Sequence, residues 1–397
     1  MLIHPEHWNN LRSRYEETRP RRMLALDGGG IRGLLTLGIL EKIERLVAEK
    51  TGKKTLCEYF DYVAGTSTGA IIAAGLARGK TVAQLIDFYR SSGEQMFEHA
   101  WLIERVKNFY TADPLKAKLQ EVFGHDTTLE PGNLGCLLLI VTKNVTTDSP
   151  WPISSNPDAK YNDPTREDCN LKIPLWQLVR ASTAAPVFFP PEILQWDPHD
   201  PSKTFVFVDG GVTPYNNPAF LLYRMATAPA YRLNWRTGER NLLLMSVGTG
   251  AAESLGATAA SPNRNIVSNV AGLPGELMYG MQVDQDVNCR IIGRCTYGAP
   301  LDRELLDLVP REAAAEMKTE EEYAAPEIPL SKDLGRQFLY ARYNADLSRE
   351  GLNRLGFPTT DPATIQKLDA VENIDALLEI GRAVGKSVES GHFGPFI

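Results

Sequence analysis

Short apolar runs alternate with helical periodicity through the first 80 residues of the chain. The apolar run at residues 23–26 is too short for a helix and predicts a buried strand. Leucine, isoleucine and valine then recur every three or four positions over residues 34–47, and Gly52 lies just beyond, which predicts a helix with a glycine at its end. Residues 59–64 predict a second strand and residues 70–77 a small apolar helix. This alternation predicts parallel strands with helices on the faces of the sheet.

The pattern continues less regularly to the end of the chain. It predicts helical structure over residues 81–123, a long polar surface loop over residues 146–170, and mainly helices after residue 251. Further strands are predicted at residues 137–141, 205–208 and 242–247. The expected fold is a three-layer α/β/α arrangement with a central, mostly parallel sheet. We expect a core over residues 20–250 and an α-rich extension over residues 251–397 that packs on it, as a lid or a regulatory part.

Composition and charge exclude several classes of protein. The 397 residues carry 42 basic and 49 acidic side chains, a net charge of −7, which argues against a general nucleic-acid binder. The five cysteines are widely spaced and form no C-x-x-C pair, so neither a zinc site nor a disulfide framework is indicated. No apolar run is long enough to span a bilayer. These features predict a soluble, cytoplasmic protein without a metal or cofactor.

The strongest chemical signal is the segment Gly65-Thr66-Ser67-Thr68-Gly69, which joins a predicted strand to a predicted helix. A G-x-S-x-G segment in this context lifts a serine hydroxyl onto a sharp turn, and Gly65 and Gly69 supply the small neighbours that the turn needs. Ser67 is therefore the candidate nucleophile, and it requires a base that takes its proton.

A glycine loop, Asp27-Gly28-Gly29-Gly30-Ile31-Arg32-Gly33, follows the first predicted strand. The N–H groups of Gly28, Gly29 and Gly30 are the candidate oxyanion hole, because a glycine backbone can approach a developing alkoxide closely. Arg32 either adds positive charge there or braces the loop. The same glycines also fit G-x-G-x-x-G, so dinucleotide binding stays open, although the next strand does not end in the acid that would hold a ribose.

Asp209 is the candidate base. It ends an apolar strand at the same sheet edge as Ser67, and Gly210 and Gly211 follow it. An aspartate within hydrogen-bond reach of a serine accepts its proton directly. The alternatives are an ordinary Asp-Gly turn and a Ser-His-Asp triad, for which His392 is the one histidine in the required chain order.

These segments together resemble the patatin-like phospholipase family of Ser-Asp dyad lipid acyl hydrolases. The matches are DGGGIRG from Asp27, GTSTG from Gly65, DGG from Asp209, and the block ASTAAP over residues 181–186. The resemblance implies that Ser67 attacks a fatty-acyl ester of a glycerophospholipid, Asp209 acts as the base, residues 28–30 hold the oxyanion, and no metal takes part.

The resemblance also implies partners and alternatives. A phospholipid or other acyl-ester lipid is the expected substrate, with transient peripheral contact with a membrane and no nucleic-acid partner. An oligomer or a small-molecule activator is compatible with it, because related bacterial lipases act as regulated effectors in antiviral defence. A non-catalytic nucleotide-binding module is the alternative from another class. The aromatic segments at residues 101–103 and 187–189, with Trp196, fit either the core or an acyl-chain channel.

Overall fold

The computed structural model describes residues 2–97, 114–186, 188–251, 266–299 and 335–397. The strands are β1 (Arg21–Leu26), β2 (Tyr62–Thr66), β3 (Leu137–Asn144), β4 (Ser149–Ser154), β5 (Glu192–Gln195), β6 (Thr204–Asp209), β7 (Leu242–Val247), β8 (Arg294–Tyr297) and β9 (Leu339–Tyr343). The helices are α1 (Arg12–Glu16), α2 (Gly33–Thr51), α3 (Leu56–Tyr59), α4 (Thr68–Ala77), α5 (Val82–Phe97), α6 (Pro114–Phe123), α7 (Leu175–Ser182), α8 (Ala219–Thr227), α9 (Ile266–Ile292), α10 (Arg349–Arg354), α11 (Pro362–Ile365) and α12 (Ile374–Gly385).

Across these residues the strands form one sheet in the order β5-β6-β3-β2-β1-β7-β9-β8, with β4 paired to β3. The five pairings of β1 with β2 and β7, β2 with β3, and β9 with β7 and β8 are parallel. The pairings of β3 with β4 and β6, and of β5 with β6, are antiparallel. The predicted mostly parallel sheet is therefore confirmed.

Alternate residues of each central strand enter opposite apolar layers. In β1, Leu24 and Leu26 pack into one buried cluster and Met23 and Ala25 into the other. The first cluster takes in α2, α4, α5 and α12, and the second takes in α8 and the N-terminal segment. Because successive strand residues point to opposite faces, this burial pattern is what a three-layer α/β/α fold requires.

The register of β3 explains how two distant loops meet. Residues 139–141 of β3 pair with both β2 and β4, so these strands lie on its two opposite edges. Residues 142–144 pair with both β4 and β6, so β6 continues along the edge that β2 uses. The strands β2 and β6 therefore meet end to end at their carboxyl ends, where Thr66 pairs with Val141 and Asp209 with Thr142.

The part of the chain after residue 250 contributes to the sheet as well as to the helical layers. The strands β8 and β9, which the sequence analysis did not predict, extend the sheet beyond β7. Helix α12 packs closely on α2, where a Cβ on Gly38 would collide with the backbone of α12 and a Cβ on Gly381 with the backbone of α2. The division at residue 250 stays a prediction.

Two local expectations were wrong. The predicted surface loop at residues 146–170 contains β4, whose prolines Pro150 and Pro152 fit an edge strand, and a buried polar turn in which Asn162 donates to the carbonyls of Ser154 and Asn156. The second strand begins at Tyr62 rather than residue 59, because residues 56–59 close a helical turn. The aromatic segment at 101–103 and Val187 lie outside the described residues. So do residues 252–263 of the stretch at 251–263, whose Ala, Ser, Gly and Pro content is typical of a linker. Among the helices that are described, none has the length and apolar character to cross a bilayer.

Candidate active site

Ser67 occupies the turn between β2 and α4 in a strained backbone conformation, with φ 55° and ψ −124°. Non-glycine residues rarely adopt positive φ, and such strain is typical of functional turns. The turn is possible because its flanks are glycines: a Cβ on Gly65 would collide with the backbone of Gly69, and a Cβ on Gly69 with the carbonyl of Leu26. The half-buried Ser67 is thus held at the carboxyl edge of the sheet.

Ser182, in the block at residues 181–186, supports this turn from behind. The backbone N–H of Ser67 donates to the hydroxyl oxygen of Ser182 at 2.9 Å, and that hydroxyl donates to the carbonyl of Val141 at 2.7 Å. Ser182 is fully buried. It therefore ties the serine turn to β3, a role that sequence reasoning did not assign to it.

Asp209 lies directly against Ser67. The Ser67 hydroxyl donates to Asp209 Oδ2 at 2.6 Å, and the backbone N–H of Gly211 donates to Oδ1 at 2.6 Å. Burial raises the pKa of Asp209 to about 6, although the hydrogen bonds from Ser67 and Gly211 and the nearby charge of Arg180 act in the opposite direction. Gly210 leaves no room for a side chain, because its Cβ would collide with the carbonyl of Val141.

Arg180 is the positive charge that acts on Asp209. It is buried on α7, its guanidinium lies over the ring of Phe189 at 5.5 Å, and it donates to the carbonyl of Pro190 at 3.1 Å. From the sequence alone, surface pairing is favoured for this arginine over contact with a phosphate head group, and its burial contradicts surface pairing. Its burial beside the acid makes it an internal group of the site rather than a surface cation.

The glycine loop approaches Ser67 from β1. A Cβ on Gly28 would stand 3.2 Å from the Cβ of Ser67. The N–H of Gly28 already donates to the backbone carbonyl of Asn216 at 3.0 Å. Of the three predicted oxyanion donors, it is therefore the one that is already paired. Among the described residues the N–H groups of Gly29 and Gly30 meet no acceptor, and Gly30 has φ 58°. Gly29 and Gly30 therefore remain the candidate oxyanion donors.

Arg32 braces the glycine loop rather than projecting from it. It donates to the carbonyls of Gly29 at 3.4 Å and Gly250 at 3.2 Å, and burial lowers its pKa to about 10. The hydroxyl of Thr249 donates to the carbonyl of Gly28 at 3.0 Å. The loop is thus fixed by contacts with the residues after β7, which no local sequence signal indicated.

His392 and the other described histidines form no hydrogen bond with Ser67 or Asp209. The imidazole of His392 instead hydrogen-bonds to the hydroxyl of Tyr343 at 2.9 Å and stacks on Tyr297 at 4.3 Å. The one group in the described ranges with the spacing of metal ligands, His4 with Glu6 and His7, belongs to the N-terminal segment and not to this site. The geometry therefore pairs the serine with an aspartate directly.

A comparison with family models matches the part of the chain that carries these motifs. A family model described as Patatin-like phospholipase matches residues 24–223. The chain is 32% identical over 214 residues to the cGAMP-activated phospholipase of Vibrio cholerae, covering 50% of this chain and 56% of that protein. It is 27% identical over 245 residues to patatin-15 of Solanum tuberosum, covering 57% of this chain and 60% of that protein. A solved structure of human GIVD cytosolic phospholipase A2 matches 98% of this chain and 63% of that one, with a TM-score of 0.40 and 13% identity. The matched region spans little more than half the length of these curated relatives.

Proposed function

Since the chain belongs to the patatin-like phospholipase family, we propose that it is a serine lipid acyl hydrolase that cleaves fatty-acyl esters of glycerophospholipids. The observation that carries the proposal is the 2.6 Å hydrogen bond from the Ser67 hydroxyl to Asp209. An acid with a pKa of about 6 is ionised at neutral pH and still basic enough to take a proton as the serine attacks.

The reaction runs in two halves. Ser67 Oγ attacks the ester carbonyl while Asp209 takes its proton, and the amides of Gly29 and Gly30 hold the tetrahedral oxyanion. The proton then passes from Asp209 to the departing alcohol, which leaves an acyl-serine. Water, deprotonated by Asp209, releases the fatty acid and restores the serine. Protein groups supply the nucleophile, the base and the oxyanion donors, so we expect activity to survive a chelator.

The substrate class rests on similarity. The relatives of this chain include proteins named phospholipase A2 and patatin. A phospholipid substrate requires transient contact with a membrane surface, which we propose for this chain as well.

Labelling with a fluorophosphonate probe tests this assignment. The probe is expected to modify Ser67 alone. Ser67→Ala is expected to lose both labelling and lipid hydrolysis, while its thermal unfolding temperature stays unchanged. Ser91→Ala, at an exposed serine on α5, is the matched control and should remain fully active. Modification of another serine in an active preparation would contradict the assignment.

A second candidate is the same lipase held inactive until a small nucleotide binds. It is favoured by the relatives from Vibrio cholerae and Escherichia coli, at 32% and 31% identity, which are named cGAMP-activated phospholipases. Hydrolysis of phospholipid vesicles measured with and without cyclic GMP–AMP separates the two candidates. A constitutive lipase gives equal rates, whereas a regulated one is silent without the nucleotide.

A further inference from the structure

A concave surface lies at the amino-terminal edge of the sheet, opposite the edge that carries Ser67. Its volume is about 570 Å³, within the range of small-molecule sites. Four basic side chains line it, against two carboxylates, in a chain whose net charge is −7. They are Arg14, Arg19, Arg22 and Lys53, with Glu17 and Glu58.

Two of the four basic groups are already committed to the fold. Arg14 Nε lies 3.2 Å from the fully buried carboxylate of Asp61, and its terminal nitrogens donate to backbone carbonyls around it. Arg19 pairs with the same carboxylate. These two arginines build the wall of the cavity and compensate the buried acid.

The other two basic groups remain available. Neither Arg22 nor Lys53 has a carboxylate within ion-pair distance in the described part of the chain. Arg22 Nε donates to the carbonyl of Phe396 at 3.1 Å, and its guanidinium lies 4.6 Å from the centre of the Tyr59 ring. This stacking fixes the plane of the guanidinium of a residue that lines the cavity.

We propose that this cavity binds a phosphate-bearing small molecule, with Arg22 and Lys53 holding the phosphate. A planar guanidinium binds two phosphate oxygens at once, and an ammonium adds a mobile point charge beside it. The site of hydrolysis plays no part in this binding, since the two lie at opposite ends of the parallel strands. The proposal deepens the second candidate function, because it gives that candidate a site, but its test does not depend on hydrolysis.

The two cations stand at the far ends of the elements that flank the glycine loop. Arg22 lies on β1, which runs directly into Asp27, and Lys53 follows α2, which begins at Gly33. A phosphate held between them would therefore bridge the strand that enters the loop and the helix that leaves it. This connection is the physical route by which binding could reach the oxyanion amides.

Isothermal titration of the full chain tests the proposal. The probes are cyclic GMP–AMP, ATP, inorganic phosphate and glycerophosphocholine, which separate a nucleotide, free phosphate and a lipid headgroup as sources of the phosphate. The variants are Lys53→Met and Arg22→Gln, and Lys54→Met is the matched control because this neighbouring lysine is exposed and does not line the cavity.

At least one probe is expected to bind, and Lys53→Met is expected to weaken it roughly tenfold or more, the worth of a charge-assisted hydrogen bond. Lys54→Met should bind as the unaltered protein does. Ser67→Ala should also bind normally, so a failure of the hydrolase assignment leaves this result untouched. Should no probe bind at millimolar concentration, or should Lys53→Met and Lys54→Met bind equally well, the proposal is overturned. Within the described residues the Lys53 side chain makes no hydrogen bond and no ion pair, which keeps the test valid if Arg22→Gln unfolds.

Discussion

Asp27 and Arg342 lie 315 positions apart in the chain and form a buried, two-pronged ion pair. Arg342 Nη1 donates to Asp27 Oδ1 at 2.8 Å and Nη2 donates to Oδ2 at 2.6 Å. Both side chains are about 1% exposed. Since Asp27 joins β1 to the glycine loop and Arg342 lies on β9, the C-terminal part of the chain helps to hold the loop beside Ser67.

Arg342→Met is expected to destabilise the protein strongly, because it leaves the Asp27 carboxylate buried without its partner. Breaking a buried ion pair on one side costs about 3–5 kcal/mol. Urea unfolding measures the change, with Arg349→Met, at an exposed arginine, as the control. The double variant Asp27→Asn with Arg342→Met should recover part of the loss, since it removes the stranded charge. Equal stability of Arg342→Met and Arg349→Met would contradict this account.

The features that the sequence predicted are those governed by local rules. The glycine loop, the serine turn and Asp209 each follow a short apolar run, so their places at strand ends could be derived from neighbouring residues. The ion pair of Arg342 and the occupation of the Gly28 amide by Asn216 depend on residues that are distant in the chain. Strand β4 was missed because its prolines mimic a loop, and only its position at the outer edge of β3 makes them acceptable.

Gly29→Ala is expected to lower kcat on the order of a hundredfold, the usual effect of losing one oxyanion donor. A Cβ at this position would collide with the side chain of Thr249 and push the amide out of place. Gly391→Ala is the matched control, because a Cβ there meets nothing within 4 Å. Steady-state hydrolysis of a soluble ester measures both. An unchanged kcat in a folded Gly29→Ala protein would mean that this amide is not an oxyanion donor.

Activity is expected to rise with pH through about 6, because Asp209 must lose its proton to act as the base. The charge of Arg180 lowers the pKa of Asp209, so Arg180→Gln should move the midpoint of kcat/KM to higher pH. Arg224→Gln, at an exposed arginine, should leave the midpoint unchanged. A purely structural role for Arg180 would lower activity without moving the midpoint.

Ser182→Ala is expected to slow labelling of Ser67 by a fluorophosphonate. The substitution leaves the Ser67 amide without the acceptor that fixes the turn, a loss of about 1–3 kcal/mol when the group is buried. Ser91→Ala serves as the control. A labelling rate equal to that of the unaltered protein would mean that the strained turn holds without Ser182.

Asp209→Asn is expected to abolish hydrolysis and yet to stabilise the folded protein at neutral pH. In the unfolded chain an aspartate loses its proton near pH 3.9, whereas in the fold Asp209 keeps it up to about pH 6. Between these values the folded state binds more protons than the unfolded state, so stability falls as the pH rises. Asparagine does not titrate and carries no such loss of stability. For Asp209 the loss amounts to about 3 kcal/mol at most and is complete above pH 6.

The difference in free energy of unfolding between Asp209→Asn and the unaltered protein, measured from pH 4 to pH 8, checks this sign. It should be near its minimum at pH 4, grow until about pH 6 and stay constant above. Asp200→Asn supplies the control: hydrogen bonds from Ser202 lower the pKa of Asp200, so the pH-dependent part of its contribution to stability lies below pH 4 and the difference for this variant should stay constant from pH 4 to pH 8. If the difference between Asp209→Asn and the unaltered protein does not change with pH, Asp209 is not desolvated in the fold. The physical reason for assigning it as the base would then be lost.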